Sequence, residues 1–302
     1  MSTMDKNSNT IKHGSALGDA MIYVLMIFAG FITLYPMYYV FILSISDPIE
    51  AATMKVYFYP KGIYLRAYNI LIHDAKMWRA FGNTVLYVIS TTVLVLFTSV
   101  TCAYPLTSSK LKGRKFLTIF LIIPMYFSGG LIPSFLLVSR LGLYNTIWAL
   151  IIPASFNIWY IILTRTFFAG IPESLRESAR IDGANNFTIL SRIYVPLSKP
   201  ILAVVSIYTI VNVWNSWFSS MVYQPNISIQ PLQMYLRRVL VEQTIDLTKL
   251  SMAEAEALAR LRLSNNQLKY SMIILTTLPV IFTYPFFQKH FVKGVMLGSL
   301  KG

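Results

Sequence analysis

Six stretches of roughly 20 mostly apolar residues run through this chain, and stretches of that length match the hydrocarbon thickness of a bilayer. They are Ala20–Ser44, interrupted only by Pro36, then Gly82–Thr107, Phe116–Val138, Thr146–Phe168, Ile201–Met221 and Tyr270–Phe287. Each is long enough to cross with some tilt. Pro105, Pro124, Pro153, Pro279 and Pro285 fall inside them, which membrane helices tolerate because neighbouring groups satisfy the freed backbone. Kinks are expected at these prolines, and a break around Gly129-Gly130-Leu131-Ile132-Pro133. The composition agrees: 55% of residues are hydrophobic and 13% charged, against about a quarter charged in soluble domains. Such a chain is too apolar to be disordered, and a single cysteine, Cys102, excludes a disulfide scaffold. The first stretch is too long for a cleaved leader, and no small-residue cleavage site follows it. The predicted fold class is an all-α membrane protein with six transmembrane helices.

The net charge of +14 has a plain reading in this setting. Lys and Arg in membrane loops meet anionic headgroups and fix topology, so no nucleic acid need be invoked. With an even number of crossings both termini share a side. Cytoplasmic termini place 14 of the 26 Lys and Arg inside and 12 outside. The strongest short loop holds Lys110, Lys112, Arg114 and Lys115 without an acid, and it votes for cytoplasmic termini.

All twelve acids lie outside the six stretches, and Arg165 is the only basic residue inside one, near enough to its end to snorkel. Ion-driven carriers usually keep carboxylates at membrane depth. His13, His73 and His290 are scattered, Cys102 reads as buried filler, and no Gly-x-x-x-x-Gly-Lys-Ser/Thr loop occurs. Neither a proton relay, a catalytic centre nor a nucleotide site is visible, so energy for uphill movement has to enter through another chain.

The segment Gly170–Pro200 stands apart from a simple connection, which is usually 2–8 residues. Pro172 and Glu173 make a good helix start. Gly183 makes a natural left-handed stop. The short helix between them mixes Leu175, Ala179 and Ile181 with Glu173, Arg176, Glu177, Arg180 and Asp182. A second helix is expected over Asn186–Val195, ended by Pro196, with Pro200 opening the fifth crossing. By pattern alone the first helix either docks in a partner's groove or lies on lipid headgroups.

The run Glu177-Ser178-Ala179-Arg180-Ile181-Asp182-Gly183-Ala184, followed by Ile193 and Pro196, resembles the Glu-Ala-Ala motif of ABC-importer permeases. Ser178 replaces the middle alanine, small for small. The Asp182-Gly183-Ala184 form resembles the sugar-importing branch. So do Leu141-Gly142-Leu143-Tyr144-Asn145-Thr146, Asn83-Thr84, Trp214-Asn215 and the ending His290 to Gly302. The resemblance covers nearly the whole chain after residue 20. The chain resembles the second inner-membrane subunit of the maltose importer, and Pro231–Arg238 resembles permeases for complex oligosaccharides.

The resemblance implies a type I ABC importer permease fold with a cytoplasmic coupling helix. It also implies a division into tail 1–19, first transmembrane helix 20–44, extracytoplasmic segment 45–81, permease core 82–291 and cytoplasmic tail 292–302. The core would hold five transmembrane helices, coupling loop 170–200 and extracytoplasmic segment 222–269. Implied partners are a second permease subunit in a heterodimer, two ATPase subunits, an extracytoplasmic solute-binding protein and membrane lipid. ATP and Mg would sit on the ATPase, with no cofactor on this chain. Docking to the ATPase would use Glu173, Leu175, Arg176, Glu177, Ser178, Ala179, Asp182, Gly183 and Ala184. Glu177 would make a charged contact, Ala179 close packing and Gly183 the turn. The C-terminal tail Gly294–Gly302 either reaches toward the ATPase or frays.

Sugar contact is expected, if anywhere on this chain, from Asn212, Trp214, Asn215 and Trp217 in the fifth stretch. Each pair is three apart and so shares a helix face; the alternative is helix packing and interface anchoring. The outer segments Asp47–Arg79 and Val222–Lys269, with a helix expected over Met252–Leu263, either meet the binding protein or cap the surface. The competing class is an ion-coupled secondary carrier, which explains only the crossings and needs no ATPase.

Overall fold

The structure is a computed structural model that describes residues 16–241, 266–283, 285, 286 and 288. The helix expected over Met252–Leu263, both chain ends and Phe287 lie outside the described residues. Among those described, all regular structure is helical. The chain divides into two compact units between Leu65 and Arg66.

In the first unit, α1 (Ala16–Ile45) carries Pro36 in its interior. Its residues Met21 to Phe28 are all more than half exposed. A helix apolar on every side has no solvent face, and a bilayer is the medium that suits it. Beyond it, Asp47 caps α2 (Pro48–Ala52) by accepting from the Ile49 amide at 2.8 Å. The Tyr35 and Tyr38 hydroxyls of α1 donate to the carbonyls of Tyr57 and Phe58, tying the following loop back to the helix.

The second unit opens with α3 (Arg66–Ile72) and is organised around α4 (Ala75–Thr107), a 33-residue helix about 50 Å long. It begins ahead of the apolar stretch, because Asp74 accepts from the Lys76 amide at 2.8 Å and starts the helix there. Its two faces reverse the soluble pattern. Leu86, Ile89, Val93 and Phe97 recur at helical spacing and are 45–64% exposed. Thr84, Tyr87, Thr91 and Ser99 are buried with Val88, Val95 and Ala103. Apolar groups out and hydroxyls in is what a hydrocarbon solvent selects.

The third stretch does not cross as one rod. It forms α5 (Arg114–Tyr126) and α6 (Leu131–Arg140), meeting at 114°. The break falls where the glycines predict: Gly130 sits at φ +84°, ψ −178°, a backbone region open to glycine alone. At 13 residues, α5 spans about 20 Å, short of the roughly 30 Å hydrocarbon. The fourth stretch is α7 (Trp148–Ser155) and α8 (Ile158–Ala169), parted where Asn157 caps α8 by accepting from the Tyr160 amide. Within the loop that follows lie α9 (Glu173–Ile181), α10 (Asn186–Ile189) and α11 (Val195–Leu197).

The fifth stretch is α12 (Lys199–Trp214), then a break, then α13 (Phe218–Tyr223); α14 (Leu232–Val241) ends this region. Residues 266–283 are helical, in line with the sixth stretch. Among the described residues, three helical runs are long and apolar enough to cross a membrane, Gly18–Ile45, Ala75–Thr107 and Trp148–Ala169 (α7 with α8), with two bent pairs besides. Arg165, expected to snorkel, instead donates from Nε to the Leu106 carbonyl at 3.2 Å. It thereby satisfies a C-terminal carbonyl of α4 and suits the negative end of that helix.

The start of α4 is clamped to the short 3-10 turn Ile227–Ile229 and the residues that lead into α14. Asn83 Nδ2 donates to the carbonyls of Ser228 at 2.9 Å and Gln230 at 3.0 Å. Thr84 Oγ1 accepts from the Leu232 amide at 2.7 Å, and the Tyr87 hydroxyl donates to the Ile229 carbonyl at 2.7 Å. Gln224, fully buried, donates to the Tyr87 oxygen at 2.8 Å and the Thr146 carbonyl at 3.1 Å. The Tyr235 hydroxyl reaches Asp74 Oδ2 at 2.5 Å. Burial, and then the adjacent carboxylate, push that phenol above its ordinary pKa, so it stays a proton donor well past neutrality. Asn83→Ala removes two of these bonds, and its expected cost is about 1–3 kcal/mol. Thermal unfolding of the detergent-purified protein measures this; an unchanged midpoint contradicts the clamp.

Candidate functional site

The loop 170–200 folds into a compact elbow. α9 starts directly after Pro172, with Glu173 in its first turn. It ends in a Schellman closure: Ala184 N–H donates to the Ala179 carbonyl at 2.9 Å, and Gly183 N–H to the Arg180 carbonyl at 3.0 Å. Gly183 holds φ +80°, the left-handed conformation that the closure needs. Nothing lies within 4 Å of where its Cβ would be, so only backbone strain resists substitution.

The nine residues expected to dock divide into two faces. Glu173, Leu175, Glu177, Ser178, Asp182 and Gly183 are exposed. Ala179 and Ala184 pack inward against a cluster of Ala103, Phe168, Ile189 and Tyr194. Tyr194 meets Tyr104 edge-on at 5.0 Å and Phe168 at 5.3 Å, so the elbow rests on the ends of α4 and α8. Arg176 is also buried, at 4% exposure, and pairs with Glu173 one turn back. The sequence did not mark Ile181 and Phe187 for docking, yet they are 87% and 77% exposed. Their place beside a glycine turn was the available signal.

The second expected helix runs on through Pro196 rather than stopping there. Residues Leu190–Tyr194 form a π-helical turn between α10 and α11. That wide turn absorbs the proline's missing N–H, and the stretch Asn186–Leu197 then meets α12 at 78°.

The four candidate sugar contacts do not share one surface. The helix ends at Trp214, with Asn215 as its C-cap, so the three-residue spacing loses its meaning beyond that point. Trp214 is 5% exposed and donates from Nε1 to the Thr276 carbonyl at 2.9 Å, which makes it a core residue. Asn215 is exposed and donates to the Val211 carbonyl at 3.0 Å. Trp217 carries Arg237 over its ring at 5.0 Å.

Of the four, Asn212 alone lines a cavity of about 240 Å³ between α4, α7, α8, α12 and α13. Tyr87, Thr91, Asn157, Tyr160, Thr209, Ser216 and Ser219 supply the rest of its polar wall, and among the described residues none that lines it is charged. Asn212 Nδ2 donates to the Tyr160 hydroxyl at 3.1 Å, fixing both groups. The wall offers amides and hydroxyls, groups that can hydrogen-bond a polyhydroxylated unit. Asn157 and Tyr160 were readable as polar residues inside an apolar stretch, but only the fold brings them to Asn212.

Two substitutions separate core from cavity. Trp214→Ala is expected to cost about 3–5 kcal/mol through the void it leaves, read as a lowered unfolding temperature. Asn212→Leu is expected to leave that temperature within a few degrees while filling the cavity; a large loss of stability would assign Asn212 to packing.

The comparisons with known proteins agree with this layout. Residues 95–297 match the family model described as binding-protein-dependent transport system inner membrane component. Protein LplC of Bacillus subtilis is 36% identical over 90% of this chain and 91% of its own length. The polygalacturonan/rhamnogalacturonan transport system permease protein YtcP of the same organism is 32% identical, covering 95% and 99%. A chain from a bacterial ABC transporter involved in import of the acidic polysaccharide alginate superposes with a TM-score of 0.81 at 32% identity. That match covers 92% of this chain and 99% of the other. This chain therefore belongs to the family of binding-protein-dependent transport system inner membrane components, the membrane permeases of ABC importers.

Proposed function

We propose that the chain is one of two permease subunits of an ATP-driven importer that translocates an oligosaccharide delivered by an extracytoplasmic binding protein. The observation that carries this reading is the exposed helix Glu173–Ile181, anchored from behind and closed by left-handed Gly183. Such a helix, with the start of α10 beside it, is built to be gripped: Leu175 and Ile181 of α9 and Phe187 of α10 offer apolar surface, and Glu177 and Asp182 a charged rim. The energy-coupling ATPase is a separate subunit, so ATP and Mg belong to it. Closure of two ATPase subunits would draw two such elbows together, and the elbow packs on the ends of α4 and α8. Displacement then reaches the cavity as rigid-body motion. Ala179 serves this chain as the inner bearing of the elbow, while Glu177 serves the partner.

The names of two relatives, one for polygalacturonan/rhamnogalacturonan and one for alginate, support an oligosaccharide as cargo. The hydroxyl- and amide-lined cavity around Asn212 supports sugar contact on this subunit. The basic loop Lys110 to Lys115 supports cytoplasmic termini.

Glu177→Lys and Gly183→Pro are expected to leave membrane insertion intact but lower uptake at least tenfold, with ATP hydrolysis uncoupled or the ATPase lost on co-purification. Transport into vesicles by the reconstituted complex decides; wild-type uptake in both variants refutes the assignment. The rival carrier class predicts that this chain alone, in sealed liposomes with an ion gradient, concentrates solute.

A further inference from the structure

A cleft of about 250 Å³ lies between the end of α4 and the elbow, lined by Tyr104, Pro105, Ser108, Lys110, Leu111, Arg176, Arg180 and Asn186. Three of these carry positive charge and none is an acid. Arg176 is 96% buried, and its Nε has no hydrogen-bond partner among the described residues. Its ion pair to Glu173 leaves that nitrogen unanswered among the described residues. A buried guanidinium N–H without an acceptor is costly, so the cleft is short of an anion. Arg180 Nη2 and the Tyr104 hydroxyl both approach Asn186 Oδ1, at 3.4 and 3.5 Å, which fixes the rim.

We infer that this cleft binds the phosphate of an anionic phospholipid. Guanidinium groups suit phosphate oxygens by charge and by fork geometry. The site sits at the end of a membrane-length helix, where headgroups lie. Three residues beyond Leu111, α5 begins. It presents Phe116 and Phe120, 71% and 61% exposed with rings stacked at 6.4 Å, as an apolar face for acyl chains. Charge and apolar surface together select a lipid over a free anion. Because Arg176 and Arg180 belong to the elbow, an occupied cleft fastens α9 to the membrane surface. The assignment needs only the membrane placement of α4 and stands apart from the identity of the cargo.

The assembled transporter, in nanodiscs of phosphatidylcholine with rising phosphatidylglycerol, tests this by native mass spectrometry of retained lipid. Wild type is expected to keep phosphatidylglycerol, and Lys110→Gln with Arg180→Gln to weaken retention about fivefold per charge removed. Lys112→Gln with Lys115→Gln, equal in charge but outside the cleft, is expected to retain the lipid. Arg176→Gln is read only beside the Lys110 and Arg180 pair, since it disturbs a buried site. Equal retention in the cleft variant, or equal loss in the control, overturns the site. Inorganic phosphate held in place of lipid overturns the lipid assignment. So does retention that begins only after the ATPase subunits are stripped off, which would give the cleft to a protein carboxylate.

Discussion

The second unit depends on how α4 is held at its two ends. At one end, side chains of Asn83, Thr84 and Tyr87 answer backbone groups of residues 228–232, where a single 3-10 turn gives way to the start of α14. At the other, Arg165 takes the Leu106 carbonyl and Ala103 meets the elbow. In hydrocarbon an unanswered backbone group costs several kcal/mol, so these contacts decide where irregular chain is permitted. Between the two ends, the inward hydroxyls of α4 leave a polar wall that apolar packing alone would have filled.

The elbow inverts a simple expectation about docking segments. Its two alanines do not face outward. Ala179 and Ala184 turn toward the body of the chain, where their size allows α9 to lie close against Phe168 and Tyr194. The outward face is left to longer side chains. On the proposed docking, an ATPase that gripped Glu177 and Ile181 would pull on a segment with little slack behind it, a lever instead of a loose strap.

Much of this was written in the sequence because glycine, proline and apolar length act locally. Gly183 needed only its own φ to end α9, and Gly130 only its own to break the third stretch. The first, second and fourth crossings followed from length and hydropathy. What the sequence hid depended on partners far along the chain. Trp214 and Asn215 sit side by side, but one is buried under Thr276 and the other caps a helix, and no spacing rule separates them. The cavity around Asn212 assembles residues from five helices. The burial of Arg176 contradicts its charge and follows from the register of α9 on the cluster below.

The π-helical turn at Leu190–Tyr194 also sets the phase of the helical turn that follows it, α11. One surplus residue in a helical path advances the next segment by about 100° about its axis. It therefore decides which side of Val195–Leu197 meets the break at Ser198, where the path turns by 78° into α12. A single-residue deletion there would rotate that last turn ahead of the bend while leaving every local propensity untouched, so the loop works as an angular index for the entry to the fifth stretch.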